Sequence, residues 1–442
     1  MSLYAGAAVR DISPTQPMQL CGYPHVRRIS TGIHDPLLAS ALYLRDGTAG
    51  VLLCALDLLM LNSGFARRLR RQVAGAAGVP ETGVLISCTH THSAPSTANY
   101  LPFRGDPAMP PADPDYLEFC AVRITEAAVE ARNRAQPAEL AWTTADARGM
   151  GGNRHAPDGP SDPEVGVLAL RAAGKLLAVT LIYSMHPTVL HEDSTLVSAD
   201  FPGYARRHLQ EQLGRDLIVL YHTGPCGNQS PRYFVSVQTF AEAERLGRRL
   251  GAAVLGRLDG LDFSAAPVLA GELARLDLPR RRLPTVAEAQ AFLARRQEEY
   301  RELKDAGAER AKTRTAEVAV FGAEAVLQLA RQQERGEVER VLAAVCPCEV
   351  QALRIGEACL AGFPGEMFVE YPLQLKSHAP LKTFAIAYTN GELQGYIVTP
   401  EAAAAGGYEA ASSLFEPRAG TLMIEAARDM VGRLARGATG AG

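Results

Sequence analysis

The sequence predicts an α/β protein: a mixed β-sheet core flanked by helices, in a single domain over 1–442 with a helical insertion at about 284–345. Three observations carry this. Short apolar, β-branched runs bounded by turn residues recur along the chain: "ALYLRD", "AGVLLCALD", "GVLISC", "VGVLALRA", "LLAVTLIYSMH", "DLIVLYHTG", "CEVQALRIGEACLAGF" and "TFAIAYTN". These read as strands. Between them lie amphipathic stretches of helical period, among them "GFARRLRRQVAGAAG", "PDYLEFCAVRITEAAVEARNRA", "FPGYARRHLQEQLG" and "FAEAERLGRRLGAAVLGRL". Such alternation is the pattern of helices laid on a sheet. The third observation is residues 284 to 345, charged, alanine-rich and almost free of proline. Behind Pro284, Thr285 and Glu288 form a capping box, so two or more helices are expected, with a turn in "DAGAERAKTR". We read them as a hairpin on the surface, the alternative being a lid over a substrate. "AARDMVGRLARGATGAG" is a last helix running into a tail.

Composition narrows the function. A chain of 442 residues with 47% hydrophobic and 21% charged residues is an ordinary soluble globular protein. A net charge of -3 without a basic run gives nucleic acid nothing to bind. The first twenty residues carry Arg10, Asp11 and two prolines in place of a signal's apolar stretch. The best apolar run, "GVLLCALDLLML", is interrupted by Asp57 and too short to span a bilayer, so stable membrane insertion is not expected. Eight cysteines scatter at 21, 54, 88, 120, 226, 346, 348 and 359 without a disulfide or zinc-ribbon spacing, which points to a reducing, cytoplasmic location. Cys346 and Cys348, in "VCPCE", read as inert thiols.

The chemistry gathers at strand ends, where ligands sit in α/β sheets. "SCTHTHSAP" puts His90 and His92 two positions apart after an apolar run. If the strand continues to its end, both imidazoles share a face. A metal site, a catalytic pair and a polar strand end all fit that spacing. His186, His191 and His222 also lie at or just past strand ends, His191 as a loop residue. Zinc takes imidazole and carboxylate ligands, and Glu366 in "LAGFPGEMF" would be held out rigidly by its turn, unless it merely begins a helix. Ser230 in "GPCGNQSPR" could expose a hydroxyl, but the motif is not G-x-S-x-G; Cys226 is the weaker rival nucleophile. Arg154 suits a carboxylate or an oxyanion, or simply the solvent.

Taken in order, "VRDISPTQPMQLCGYPHVRRISTGIHDPLLASALYL", "LDLLML", "THTHSAP", "GGNRHAPDGPSDPEVGVL", "SMHPT", "LVSADFPGYA", "GNQSPR", "FPGEMF" and "QGYIVTPEAAAAGGYEAASSLFEP" resemble the catalytic domain of the neutral ceramidases over most of residues 5 to 430. The resemblance implies one Zn2+ held by His90, His186, Glu366 and Tyr396. It implies further that His92, Arg154, Ser230 and Tyr408 handle the amide and the proton transfers. Two departures bear on substrate: neither a secretion signal nor an immunoglobulin-like C-terminal domain is expected, and the helical segment 284–345 is expected to replace the family's usual stretch. The expectation is therefore a zinc-dependent amidohydrolase that cleaves the C–N bond of an N-acyl substrate smaller than ceramide by metal-activated water. In this reading His92 relays a proton, Arg154 and Tyr408 orient the substrate, and Ser230 positions it rather than attacking it. The alternatives are a ceramidase proper, a zinc esterase or lactonase, and a zinc-containing binding protein without turnover. No oligomeric state is implied.

Overall fold

The structure is a computed structural model that describes residues 2–106 and 108–437. The α/β architecture is the one the sequence predicts, with the strands divided among three principal sheets. In the first, β1 (Tyr4–Asp11), β2 (Leu38–Arg45) and β3 (Gly50–Leu56) run antiparallel, and β4 (Val84–Cys88) joins β3 in parallel. In the second, β5 (Glu139–Asp146), β6 (Glu164–Ala172) and β7 (Lys175–Tyr183) run antiparallel, with β8 (Ile218–Thr223) parallel to β7. In the third, β9 (Leu269–Leu276), β10 (Cys348–Ile355) and β11 (Ala358–Gly362) run antiparallel, with β12 (Lys382–Ile386) parallel to β11. Each sheet is thus a meander closed by one parallel crossover.

Continuous apolar runs such as "VLLCAL" and "VLISC" suit strands covered on both faces, and every residue of β4 is buried. A single cluster holds Leu42, Leu53 and Leu85 of the first sheet, Leu168 and Leu220 of the second, and Leu353, Leu360 and Phe384 of the third. The sheets therefore share one core. On the outside, α1 (Ser63–Ala77) and α2 (Pro114–Asn133) cover the first sheet, and α3 (Phe201–Leu213) and α4 (Phe240–Leu255) the second. Their starts follow capping rules: Asn62, Asp113 and Thr239 each accept a first-turn amide, and Pro114 occupies the first helical position. Gly6 lets α2 lie on β1, since a Cβ there would stand 2.1 Å from the Ala131 carbonyl oxygen.

The insertion forms α5 (Val286–Asp305), α6 (Arg310–Glu334) and α7 (Glu337–Val345), and the Thr285/Glu288 capping box is in place. A surface hairpin describes only α5, of which Ala289 alone is buried. The middle of α6, "AVFGAEAVLQLA", carries an apolar stripe that buries Val320, Ala323, Val326, Leu329 and Ala330. The third sheet is covered by α8 (Glu370–His378) and, past the short α9 (Pro400–Ala405) and α10 (Tyr408–Ser412), by α11 (Arg418–Arg436). Helix α6 lies against α10 and against the turn at 101–103, where Gln332 Nε2 donates to the Leu101 carbonyl at 2.8 Å. Among the described residues no helix is long and apolar enough to cross a membrane.

The parallel strands of all three sheets end at one place. Ala387 N donates to Thr223 O at 2.8 Å, Cys88 N to Tyr388 O at 3.2 Å, and Thr223 Oγ1 to Thr89 O at 2.6 Å, tying the ends of β4, β8 and β12 together.

Candidate metal centre

The strand that carries the His-Thr-His motif stops at Cys88, short of both histidines. His90 takes a left-handed φ of 64°, so the extended backbone expected through His92 is not there. The two imidazoles meet through a turn instead, with ring centres 5.0 Å apart. Amides of Thr89 and His90 close that turn on Leu56 O and Leu58 O. The His90 ring stacks on Tyr388 at 3.8 Å and 8°, and its Nδ1 lies 2.8 Å from Leu59 O. His186, three residues past β7, sets Nδ1 2.6 Å from Cys226 O and 3.0 Å from Gln229 O.

A carbonyl only accepts, so Nδ1 carries the proton in both rings and Nε2 is left with a lone pair. Burial lowers the His186 pKa to about 4, which keeps that ring neutral. Both Nε2 atoms nevertheless face the Glu366 carboxylate, at 3.3 Å from His186 and 3.6 Å from His90. Two lone pairs converging on an anion repel unless a cation lies between them. The His90 Nε2 is buried and makes no hydrogen bond, as do both nitrogens of His92. Nitrogens of His90, His92 and His186 lie within 4.8 Å of one another. Imidazoles and a carboxylate are the ligand types zinc takes, so the residues present fit such an ion. Burial, reinforced by the neighbouring histidines, pushes the His92 pKa well below its ordinary value.

Glu366 does not begin a helix. It follows the Phe-Pro-Gly turn, where Gly365 has φ 79°, and pairs with Tyr396 across a short parallel ladder. Tyr396 packs edge-on against Tyr408, with ring centres 5.9 Å apart, and the Arg154 guanidinium lies 5.5 Å over the Tyr396 ring. A cavity of about 40 Å³ opens here, lined by Met60, Tyr100, Phe103, Leu393 and Tyr408 beside Glu366 and Tyr396. Ser230 pairs with Gly152, two residues before Arg154, and its Oγ accepts from Arg232 N at 3.3 Å. The loop before it supplies the carbonyls that hold His186.

The structure sets other candidates apart. His222 is wholly buried in β8 and bonded to Ser87 Oγ at 2.7 Å, while His191 packs at a tilt on Tyr23, whose ring meets His92 edge-on. The Cys226 thiol lies 3.2 Å from the Tyr388 hydroxyl, and burial raises its pKa, so it is no nucleophile.

Three residues escaped the sequence reading. Arg28 donates to the Cys21 and His92 carbonyls at 2.6 and 2.7 Å, pinning the turn beneath His92. Tyr388 backs His90. Glu409 accepts from Arg154 Nε at 2.7 Å. Only Glu409 had a signal, its place next to Tyr408.

Lone-pair nitrogens and a carboxylate gathered at the carboxyl ends of parallel strands define a candidate metal-dependent centre in a mixed α/β fold. The profile of neutral/alkaline non-lysosomal ceramidases, N-terminal, matches residues 4–234, more than half of the chain, and the chain belongs to that family. Neutral ceramidase of Pseudomonas aeruginosa is 23% identical over 288 residues, which take in 56% of this chain and 43% of that relative, so the match spans less than half of its length. The crystal structure of neutral ceramidase from Pseudomonas aeruginosa superposes with a TM-score of 0.76 at 18% identity, over 98% of this chain and 74% of the other. A ceramidase complexed with C2 gives 0.75 at 17%, over 99% and 76%. At these identities the likeness is one of fold.

Proposed function

We propose that this chain is a zinc-dependent hydrolase that cleaves the amide C–N bond of an N-acyl substrate smaller than ceramide. The observation that carries the reading is the meeting of the His90 and His186 Nε2 lone pairs with the part-buried Glu366 carboxylate. In this reading those three residues and Tyr396 hold the ion. Zinc so held supplies a Lewis acid and a water of lowered pKa, toward about 7. The chain's own side chains do the rest. His92, whose ring nitrogens make no hydrogen bond, is placed to pass a proton to the departing nitrogen. Burial raises the Tyr408 pKa, so its hydroxyl stays protonated and donates to the substrate. Arg154 orients the substrate, and Ser230 positions the amide.

This reading seats the acyl group in the cavity of about 40 Å³ beside Glu366 and Tyr396. We read residues 1–442 as one catalytic unit with the α5–α7 insertion forming part of its wall. Eight unpaired cysteines fit a reducing, cytoplasmic setting.

The test is hydrolysis of matched short-chain amides and esters by the zinc-loaded protein, after chelation, and after zinc is returned. Amide cleavage lost on chelation and restored by zinc is expected. A fully loaded protein that cleaves neither would overturn the proposal.

A further inference from the structure

Glu409 is the acidic residue nearest Arg154, and nothing in the reaction described above uses it. Its Oε1 lies 2.7 Å from Arg154 Nε, 2.7 Å from Arg154 Nη2 and 3.0 Å from His155 Nε2. The carboxylate is nearly buried, with 10% of its side chain exposed against 17% for Arg154. Although burial opposes ionisation, Arg154 and then His155 hold the Glu409 pKa down at about 2, so it is an anion at any working pH. Nη2, for all its closeness, has no aligned hydrogen bond, while Nε does. One oxygen therefore holds the guanidinium by its Nε edge, with Nη2 in the same ion pair and the Tyr396 side chain as a further partner of Arg154.

The main chain makes this carboxylate rigid. Glu409 sits in α10 directly after Tyr408, which lines the cavity, and Arg281 donates to the Ala410 and Ala411 carbonyls at the other end of that helix. Position 408 faces the cavity and position 409 holds the arginine beside it. A free arginine at such a place would recruit carboxylate-bearing substrates, because bidentate capture of carboxylates is what a guanidinium does best. With Glu409 present the pair is neutral.

We infer that Glu409 is a positioning residue that balances the charge of Arg154 and so reserves the site for substrates uncharged on the amine side, excluding N-acyl amino acids. The inference rests on the proposed hydrolase reading, in that Arg154 is taken to face the substrate, but its test does not need turnover.

The probes are two sulfonamides that the enzyme cannot cleave, N-methanesulfonyl-ethanolamine and N-methanesulfonyl-glycine, titrated calorimetrically into the zinc-loaded protein. The wild type should bind the neutral probe at least about tenfold more tightly, and E409Q should erase or reverse that preference. E409D, which keeps the charge at a shorter reach, should retain it and stands in for E409Q if the latter does not fold. In an R154M background, E409Q should leave the ratio unchanged. The inference is overturned by an unchanged ratio in a folded E409Q, by loss of the preference in E409D, by an equal shift in the R154M background, or by failure of both probes to bind. Loss of hydrolysis in the wild type would count against the hydrolase reading and leave these binding ratios readable.

Discussion

Glu366 and Tyr396 stand opposite each other across a two-residue parallel ladder, completed by Met367 and Ile397. Main-chain pairing of this kind fixes two candidate ligands from separate segments at one height, and the carbonyl-held imidazoles of His90 and His186 complete the set. The purified protein should therefore hold about one zinc per chain, as a single catalytic site requires. Elemental analysis of the wild type and of the Glu366→Ala, His186→Ala double variant decides the point. Zinc retained in the double variant would remove the assignment.

His92 separates two descriptions of the centre, because its nitrogens lie close enough to His90 and His186 for it to be a ligand itself. Assigned to proton transfer, His92→Ala should keep its zinc and lose about a hundredfold or more in kcat. His90→Ala should lose both. Equal loss of zinc from the two variants would make the motif a two-ligand one.

Ser230→Ala should slow turnover without changing the kinetic pattern, since the serine is assigned to positioning and no acyl-enzyme is expected. Wild-type protein quenched during turnover is to be weighed intact by mass spectrometry. An acyl adduct on Ser230 would make it the nucleophile instead.

A stability prediction concerns the wall behind the site. Asp57, the residue that breaks the longest apolar run, is fully buried and bonded to Arg206 Nη1 at 2.8 Å. Arg206→Ala would leave that carboxylate unpaired, at a cost of about 3–5 kcal/mol. Denaturant unfolding should find the loss, while the Arg206→Ala, Asp57→Ala pair should recover part of it. A single variant within about 0.5 kcal/mol of wild type would contradict the account.

What the sequence made legible follows from what it encodes locally. Strand runs, helix caps and the order of motifs lie in contiguous residues, so β4, the capping box at Thr285 and the resemblance itself were open to reading. The turn at His90 could not, because its left-handed φ is imposed by amides bonding to Leu56 and Leu58 from another strand's end. Nor could Arg28, whose partners are backbone carbonyls at Cys21, His92 and Ser194, which carry no residue type to read. The burial of α6 was hidden by the charged residues at its two ends, which dilute the apolar stripe between them.

That stripe bears on the last prediction, the length of the acyl chain. Helix α6 does not stand clear of the site. His25, on the loop that carries Tyr23 to His92, lies 3.4 Å from Glu324 of α6, packs on Phe321 and meets edge-on Phe103, which lines the cavity. Arg314 of α6 reaches Glu192, beside His191, at 2.9 Å. The helix is thus tied to the loops that carry Tyr23 and Glu192, and in the smaller-substrate proposal it is the wall that limits chain length. Each buried methylene is worth about 0.8 kcal/mol, so an open channel would raise kcat/KM roughly three- to fourfold per added carbon, and a closed one would stop that rise early. Across N-acyl amides of increasing length, kcat/KM should climb over the first few carbons and then level or fall, with ceramide in detergent the poorest substrate. Phe103→Ala should extend the climb by several carbons while zinc content stays at the wild-type level. A steady rise to ceramide in the wild type would return the lipid to first place and make α6 a lid that opens.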